Sequence, residues 1–335
     1  MTAPTEVDEF ASPDVDKGDL PGKVEMHRGR YKLPHPITGK VTLFSRVSTI
    51  AGAIKDTYHL DRWNDRMIAK GMGLRPDLAE LARSLDVTED KEELQDIAVK
   101  AKEAAGGSVG ANMGTALHKH CERQDGGEDM SKVQLPRATR ADLKAYAEFL
   151  AYKGIEIMPE YNERVVWTRA TNTIGRIDRI GWDRELWPLP RIVDLKTQKT
   201  MDFGGLEISM QLAMYANADF MWNEYTAQWE ECPEVDTQTA IVIHLPVGKA
   251  LAEDYDVPVD KGWEAVKLAL GVRTKRKEGR NYLRRVPDDR GYRLRLIRAT
   301  TRQELSQVYS EAFDADMWTD ELKALGLARL TEIES

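Results

Sequence analysis

Near Gly154 the sequence changes from helical to extended periodicity. The runs "NMGTALHKHCER" and "TRADLKAYAEFLAYKG" before this point have apolar residues at the spacing of amphipathic helices. After it, "NERVVWTRA", "TIGRIDRIGWD" and "LWPLPRIVDLKT" are rich in β-branched residues and predict three strands. Next come an apolar helix, "EISMQLAMYANADFMWNEY", two strands, "TQTAIVIHLP" and "KALAEDYDVPV", and the helix "KGWEAVKLALGVRTKRKEG". This order predicts an α/β fold with a mixed central sheet flanked by helices.

The chain before this core predicts a separate, mostly helical region. "HLDRWNDRMIAKGM", "RPDLAELARSLD" and "TEDKEELQDIAVKAKEAAGGS" predict an N-terminal helical extension that follows a short hairpin. We expect Ser48 or Thr49 to cap the helix after the hairpin, and Thr88 to begin a capping box. The predicted regions are a flexible acidic tail (1–22), the hairpin and helical extension (23–109), the core (110–265) and a basic C-terminal region with a terminal helix (266–335).

The composition is typical of a globular protein in a reducing compartment. Of 335 residues, 41% are hydrophobic and 31% are charged, which argues against a disordered chain. The only cysteines, Cys121 and Cys232, cannot form a disulfide framework or supply four ligands to an iron–sulfur cluster. The first 20 residues lack the apolar core of a signal peptide, and no apolar run approaches the roughly 18 residues of a membrane span. We therefore expect a cytoplasmic protein with no membrane partner.

The strand "RIVDLKT" carries a carboxylate and an ammonium group on one face. Residues two apart on a strand share a face, so Asp194 and Lys196 project together. Such a pair could be an ordinary surface ion pair. If the preceding strand lies alongside, however, Asp178 can converge with Asp194, and two close carboxylates repel each other unless a proton or a cation bridges them. Hard oxygen ligands of this kind suit Mg²⁺ or Mn²⁺, which can activate water against a phosphodiester.

Two helices place further polar groups at one-turn spacing. In "GTALHKHCE", His118 and Glu122 share a helix face, so the imidazole could complete a metal site or simply bond to Glu122. In "QLAMYA", Gln211 and Tyr215 are also one turn apart and directly follow the Asp194 strand. These two residues could contact a substrate, or they could be the solvated edge of an amphipathic helix.

Positive charge is concentrated near the C-terminus, although the net charge of the chain is -8. Residues 267–302, here called the basic segment, contain 13 Lys and Arg against 3 acidic residues, a local balance of +10. Its composition fits a surface that contacts backbone phosphates, or a solvated arginine-rich helix. Tyr282 and Tyr292 lie among the arginines and could stack on single-stranded bases. The candidate DNA-binding residues are Arg176, Arg273, Lys275, Arg276, Lys277, Arg280, Arg284 and Arg285.

The order of four motifs resembles that of the PD-(D/E)XK nucleases. The most similar branch is the RecB-like exonucleases, which include CRISPR-associated and phage-encoded relatives, and "HLDRWNDR" resembles a helix that some of them carry upstream. The resemblance covers roughly residues 110–260 and implies a restriction-endonuclease-like αβββαβ core. The motifs are Gly114-x-x-x-His118, Gly175-x-Ile177-Asp178, Asp194-Leu195-Lys196 and Gln211-x-x-x-Tyr215.

The resemblance also implies a role for each motif residue. The implied metal ligands, for Mg²⁺ or Mn²⁺, are His118, Asp178, Asp194 and the carbonyl group of Leu195. The implied catalytic residues are Asp178, Asp194 and Lys196, with Gln211 and Tyr215 as an accessory motif. Whether Glu163 also reaches the metal stays open. The iron–sulfur cysteines of some relatives are absent, so we expect no such cluster.

We therefore expect a metal-dependent exonuclease that hydrolyses linear DNA ends, single- or double-stranded, in recombination, repair or phage DNA processing. The chain has no Walker A motif, so a separate helicase or recombination protein is a possible partner. Two alternatives stay open: an endonuclease of the same superfamily that recognises a structure or a sequence, and a non-catalytic DNA-binding protein on a nuclease fold. A phosphatase of small molecules is disfavoured by the arginine cluster.

Overall fold

The computed structural model describes residues 20–283 and 288–335. The predicted acidic tail lies outside the described residues except for residues 20–22, and so do Arg284 and Arg285 of the basic segment. The predicted α/β class is confirmed, since helices and two mixed sheets make up the described chain.

The helices of the described residues agree with the predicted helical runs in most positions. Several end where the sequence has a helix-stopping residue; the helix that ends at Lys153 is followed by Gly154 at φ +67°, a left-handed conformation that glycine adopts without strain. The helices are α1 (Val47–Ala51), α2 (Tyr58–Leu74), α3 (Pro76–Arg83), α4 (Lys91–Ala104), α5 (Val109–Asp125), α6 (Arg137–Lys153), α7 (Gly205–Ala216), α8 (Val259–Gly279), α9 (Arg290–Arg298), α10 (Arg302–Asp314) and α11 (Asp320–Glu334).

The strands form two sheets where the sequence analysis predicted one central sheet. A seven-stranded sheet has the order β1-β2-β3-β6-β5-β9-β10, and a five-stranded sheet has the order β12-β11-β8-β7-β4. The strands are β1 (Glu25–His27), β2 (Arg30–Pro34), β3 (Val41–Arg46), β4 (Glu156–Ile157), β5 (Val165–Thr168), β6 (Thr173–Arg176), β7 (Arg179–Trp182), β8 (Arg191–Lys196), β9 (Phe220–Asn223), β10 (Gln228–Glu231), β11 (Thr239–His244) and β12 (Glu253–Pro258).

The chain passes from one sheet to the other at Ile177 and Asp178. The run "TIGRIDRIGWD" was predicted as one strand, but β6 pairs with β5 in the first sheet and β7 pairs with β8 in the second. The break arises because Asp178 is held by groups from both sides. Its carbonyl accepts from the Glu163 N–H, and its carboxylate accepts from the Leu195 N–H, both at 3.0 Å. Asp178 therefore lies at the junction of the two sheets.

The five-stranded sheet is covered by helices on both faces. On one face, Val193 and Leu195 of β8 pack with residues of α5 and α6 such as Leu117 and Tyr146. On the other face, Ile192 packs in the cluster that contains Leu212 of α7. The predicted alternation of β8 is confirmed for Val193 and Leu195, so Asp194 and Lys196 belong to the Ile192 face.

Three local predictions were wrong. The apolar helix predicted to reach Tyr225 ends at Ala216, where the Asn217 side chain donates to the Ala213 carbonyl at 2.9 Å, and β9 begins at Phe220. The residues after Ala216 pair instead as strands with β5 and β10.

The two predicted side-chain caps were the other errors. Helix α1 begins at Val47, ahead of Ser48 and Thr49, and has no side-chain cap. Helix α4 begins after Asp90 and also lacks one, because the Thr88 N–H bonds to Asp86 Oδ1 at 2.7 Å in the preceding turn. Aspartate side chains therefore bond to the backbone N–H groups of the turn before α4, and the predicted capping box does not form.

The chain divides into two compact units, residues 1–274 and 275–335. The first unit contains both sheets together with the N-terminal hairpin and helical extension, so the region predicted as 23–109 belongs to the same unit as the core. In the second unit, Leu296, Val308 and Leu322 form the centre of a small helical core. Among residues 20–283 and 288–335, each helix is too short or too polar to be a membrane span.

Candidate metal centre and surrounding cleft

Two carboxylates are brought together by the pairing of β5 and β6. Val165 pairs with Arg176, and the same register continued by two residues places Glu163 opposite Asp178. The backbone bond from Glu163 N–H to the Asp178 carbonyl continues this pairing beyond the strand ends. Glu163 has φ +54°, an uncommon conformation for a side-chain-bearing residue, and the Arg176 guanidinium donates to its carbonyl at 2.6 Å. Uncommon backbone conformations of this kind are concentrated at functional sites.

His118 on α5 lies between these two carboxylates. Its Nε2 is 2.9 Å from Asp178 Oδ2, and its Nδ1 is 3.5 Å from Glu163 Oε1. One potential metal-binding group is found in the described part of the chain, and it consists of His118, Glu163 and Asp178. Each residue has one possible ligand atom, and these atoms lie within 4.8 Å of one another. The structure therefore brings together two of the predicted ligands with the glutamate whose role was left open.

Asp194 lies deeper than this group. It is 4% exposed, and its Oδ2 is 2.6 Å from Lys196 Nζ, so the predicted neighbours on one face of β8 form an ion pair. Asp194 does not belong to the three-residue group found among the described residues. Its pKa still responds to that group, because burial and the charge of Asp178 raise it to about 6. Asp194 thus lies close enough to Asp178 for their charges to interact.

The pKa values of His118 and Asp178 shift in opposite directions. Burial lowers the pKa of His118, but the hydrogen bond to Asp178 and the negative charges of Asp178 and Glu163 together raise the pKa above its ordinary value. Burial tends to raise the pKa of Asp178, but the bond from His118 and the positive charges of His118, Lys196 and Arg179 together lower it. Without a cation the two groups therefore favour the imidazolium–carboxylate pair.

Glu163 and Lys196 are shifted by the same electrostatic environment. Burial and the negative charge of Asp178 raise the pKa of Glu163 to about 7. Burial tends to lower the pKa of Lys196, but the Asp194 and Asp178 carboxylates raise it overall, which keeps the ammonium group charged. A carboxyl group with a raised pKa beside a second carboxylate is typical of a site where a bound cation would relieve repulsion.

Two motif glycines permit close approaches at this centre. A Cβ at Gly114 would lie 2.5 Å from Thr197 Oγ1, so glycine allows α5, which carries His118, to approach the end of β8. A Cβ at Gly175 would lie 2.4 Å from Cε1 of Tyr215, so the Tyr215 ring packs directly on β6. These contacts explain why each motif begins with glycine.

The three-residue group is chemically suited to a divalent cation. It offers one imidazole nitrogen and two carboxylate oxygens from three separate elements, on a partly buried surface. Carboxylates suit Mg²⁺ and Mn²⁺, and an imidazole ligand favours a transition metal over Mg²⁺. Because His118 must lose its proton to act as a ligand, metal binding at this site would release protons.

The accessory residues lie on α7 as predicted. Burial and the charges of Asp178 and Asp194 raise the pKa of Tyr215 well above the usual range, so its hydroxyl stays protonated. Gln211 lies one turn earlier and is partly exposed. Leu195 lies at the wall of the cleft next to the metal centre, and its N–H is the donor to Asp178.

A cleft of about 980 Å³ opens over the metal centre. His118, Glu163 and Asp178 line it together with Lys196, whereas the lining residues do not include Asp194. The basic side chains that line it are Lys119, Arg176, Lys196, Lys199 and Lys249. The loop that carries Lys249 is anchored by Asp142, which accepts from the N–H groups of Gly248 and Ala250 at 2.7 and 2.8 Å.

The candidate DNA-binding residues that the structure describes are divided between the two units of the chain. Of the candidate DNA-binding residues, Arg176 lines the cleft and also bonds to Glu163. Arg273 donates to the Thr49 carbonyl at 3.4 Å. Lys275, Arg276 and Lys277 occupy the last turns of α8, Arg280 follows it, and Lys275 forms an ion pair with Glu278. Arg284 and Arg285 lie outside the described residues.

Sequence reasoning missed three lysines of the cleft and left Glu163 undecided. Lys119 is adjacent to His118, Lys199 follows β8 and Lys249 follows β11. The inclusion of Glu163 could have been predicted from its position opposite Asp178 in the hairpin. That position follows from the strand register once the turn is placed correctly. No protein-family model matches the chain, and no curated protein matches it.

Proposed function

We propose that this protein is a metal-dependent deoxyribonuclease that degrades linear DNA from its ends. The observation that carries the proposal is the group formed by His118, Glu163 and Asp178, with Lys196 in the same cleft. A divalent-cation site beside a lysine is an arrangement that can catalyse phosphodiester hydrolysis. The order of the four sequence motifs, which resembles that of the RecB-like PD-(D/E)XK exonucleases, supports an exonuclease over an endonuclease.

The charge of the cleft supports a polyanionic substrate. Basic groups from α5, β6, β8 and two loops line the same cleft as the acidic group, so the cleft offers positive charge to a phosphate backbone. Such contacts bind DNA without reading its sequence. A substrate selected by its backbone fits an enzyme that degrades DNA of any sequence.

The protein's own groups divide the chemical work. His118, Glu163 and Asp178 would hold the cation, which when bound supplies a Lewis acid for the phosphate and lowers the pKa of a water. Lys196 remains protonated and would stabilise the negative charge that develops on the phosphoryl oxygens. Asp194 fixes the position of the Lys196 ammonium through their 2.6 Å ion pair. Tyr215 packs against Gly175 of β6, three residues before Asp178.

The biological setting of the proposal rests on the resemblance. Action in the cytoplasm, or in the host cytoplasm for a phage protein, fits recombination, repair or phage DNA processing. A separate helicase or recombination protein would supply the unwinding that the chain has no motif for.

Incubation of end-labelled linear DNA and closed circular DNA with the purified full-length chain tests the proposal. Each reaction contains Mg²⁺, Mn²⁺ or EDTA. Lys196→Met should lose cleavage by at least about 100-fold, the usual scale for removing one charge-stabilising group. Lys144→Ala on α6, which changes an exposed lysine, is the matched control.

The proposal is supported if the wild type and Lys144→Ala degrade linear DNA in the presence of metal and leave closed circular DNA intact. Cleavage of circular DNA would replace it with an endonuclease. DNA binding without cleavage under every metal condition would replace it with a non-catalytic DNA-binding function.

A further inference from the structure

An exposed row of aromatic rings lies on the same unit as the metal centre. Tyr58 and His59 begin α2, and their ring centroids are 5.3 Å apart. The His59 ring is 5.5 Å from the ring of Phe203, which belongs to the loop between β8 and α7. Tyr58 is 59% exposed and Phe203 66% exposed, so two large apolar rings face solvent instead of the core. We call these three residues the aromatic row.

The loop that presents Phe203 is anchored at both ends. At its start, the carbonyl of Gln198 is 2.8 Å from Nε2 of the buried His244, whose Nδ1 is 3.0 Å from Glu253 Oε1. At its end, Gly204 has φ +87°, and its carbonyl accepts the first helical bond of α7 from Ile208. A loop fixed in this way can hold an exposed ring in place without burying it.

The same loop lines the cleft. Gln198 and Lys199 are lining residues of the cleft, and Lys196 comes directly before the loop. The aromatic row is therefore continuous along the chain with the wall of the candidate active site. Phe203 is four residues beyond Lys199 on this loop, and its ring contact with His59 links the loop to the start of α2.

The surroundings of the row favour bases over an apolar protein surface. The Arg62 guanidinium lies 5.6 Å from the centroid of the Tyr58 ring, a cation–π contact that leaves a positive charge beside the rings. Lys199 lies on the loop itself, where Asp202 directly precedes Phe203, and Asp61 lies in the first turn of α2. Exposed flat rings next to positive charges are the elements that bind single-stranded nucleic acids, because every base has a face that can stack on them.

We propose that Tyr58, His59 and Phe203 form a stacking surface for the bases of a single DNA strand at the edge of the cleft. This inference rests on the proposed function and adds to it a preference for an unpaired strand on this side of the metal centre. The bases of a duplex are stacked on each other, so the row would engage an end only where its strands have separated.

The test compares binding of an ordinary and an abasic oligonucleotide of about 15 nucleotides. Fluorescence anisotropy with the full chain in EDTA measures binding without cleavage. Phe203→Ala should weaken binding of the ordinary oligonucleotide at least about fivefold, the lower end of the range for one stacked base, and should leave the abasic one unchanged. Phe203→Leu keeps an apolar side chain without a ring and should show the same loss.

Tyr152→Ala is the matched control, because Tyr152 on α6 is 86% exposed and has no part in the row. Equal losses for ordinary and abasic DNA, or normal binding by Phe203→Leu, would overturn the proposal. A changed association state with unchanged DNA binding would assign the row to a protein interface instead. The binding assay needs no metal, so it is independent of cleavage. If the protein cleaves DNA but binds ordinary and abasic DNA equally, only the stacking proposal is rejected. If the protein binds ordinary DNA more tightly than abasic DNA but does not cleave it, only the proposed nuclease activity is rejected.

Discussion

Asp178 Oδ2 accepts a hydrogen bond from the backbone N–H of Leu195 at 3.0 Å. The same oxygen is 2.9 Å from His118 Nε2. A main-chain donor on β8 and a side chain on α5 therefore fix one carboxylate at the junction of the two sheets. Because Leu195 lies directly before Lys196, this bond also ties the candidate metal-binding group to the strand that carries Lys196.

Asp178→Asn should separate the structural role of this carboxylate from its charge. The amide oxygen can still accept from Leu195 N–H, so we expect the thermal midpoint of unfolding to stay within a few degrees of wild type. The affinity for Mn²⁺, measured by calorimetry, should fall by at least about tenfold because a neutral amide is a weaker ligand. Asp256→Asn, which changes an exposed carboxylate on β12, should leave the affinity unchanged. Wild-type affinity in Asp178→Asn would remove Asp178 from the metal site.

The raised pKa of Glu163 predicts how the stability of the metal-free protein depends on pH. Its pKa is about 7 in the folded chain, against roughly 4.3 for an unperturbed glutamate. The folded state therefore binds this proton more tightly, and its stabilising effect is present below the unfolded value and is lost as pH rises towards 7.

Glu163→Gln cannot lose a proton, so its free energy of unfolding should rise relative to wild type between about pH 4 and pH 8. The expected change in that difference is on the order of 1–3 kcal/mol. Urea unfolding in EDTA at several pH values measures it. Saturating Mn²⁺ should stabilise the wild type at the high-pH end, since metal relieves the repulsion there. A difference that stays constant across the pH range would contradict this account of the electrostatics.

The parts of the fold that the sequence predicted depend on strong periodicity. The faces of β8 were predictable because Val193 and Leu195 alternate with Asp194 and Lys196, and a buried strand has only one such arrangement. The division into two sheets was not predictable from the local sequence. At the junction Asp178 accepts hydrogen bonds from Glu163 and Leu195, and both of these residues are far from Asp178 in the sequence. Lys199 and Lys249 at the cleft wall escaped prediction because they lie in loops, which carry no periodicity from which their position in the fold can be predicted.

Two glycines on α5 give a matched test of the close contact between this helix and β8. A Cβ at Gly114 would lie 2.5 Å from Thr197 Oγ1, whereas a Cβ at Gly110, one turn earlier, would have no atom within 4 Å. Gly110→Ala should therefore stabilise the helix by about 0.5–1 kcal/mol. Gly114→Ala should push α5 away from β8, with a cost of about 1–3 kcal/mol and weaker Mn²⁺ binding through displaced His118.

Urea unfolding and metal titration of both variants measure these effects. Comparable stability and metal affinity in the two variants would mean that Thr197 rotates away without moving α5, and the contact would then have no role in positioning His118.

A buried ion pair beneath the metal centre raises the question of whether the fold needs it. Arg179 Nε is 2.5 Å from Asp125 Oδ2, and the two side chains are 1% and 3% exposed. Tyr146 Oη donates to the same oxygen at 3.1 Å, but the terminal nitrogens of Arg179 have no hydrogen-bond partner in the described part of the chain. A pair so incompletely bonded recovers little of the free energy lost when both charges leave water.

Arg179→Met should therefore destabilise the protein by about 3–5 kcal/mol, because it leaves Asp125 buried without its cation. The double variant Arg179→Met with Asp125→Leu should regain most of this loss, since neither charge then remains in the interior. Urea unfolding of the two single variants and the double variant measures the coupling between the residues. Additive losses would show that the two residues are not coupled and would contradict this account of the ion pair. Recovery in the double variant, with Mn²⁺ affinity unchanged, would show that the apolar packing of α5, α6 and β7 is sufficient to hold His118 and Asp178 in position.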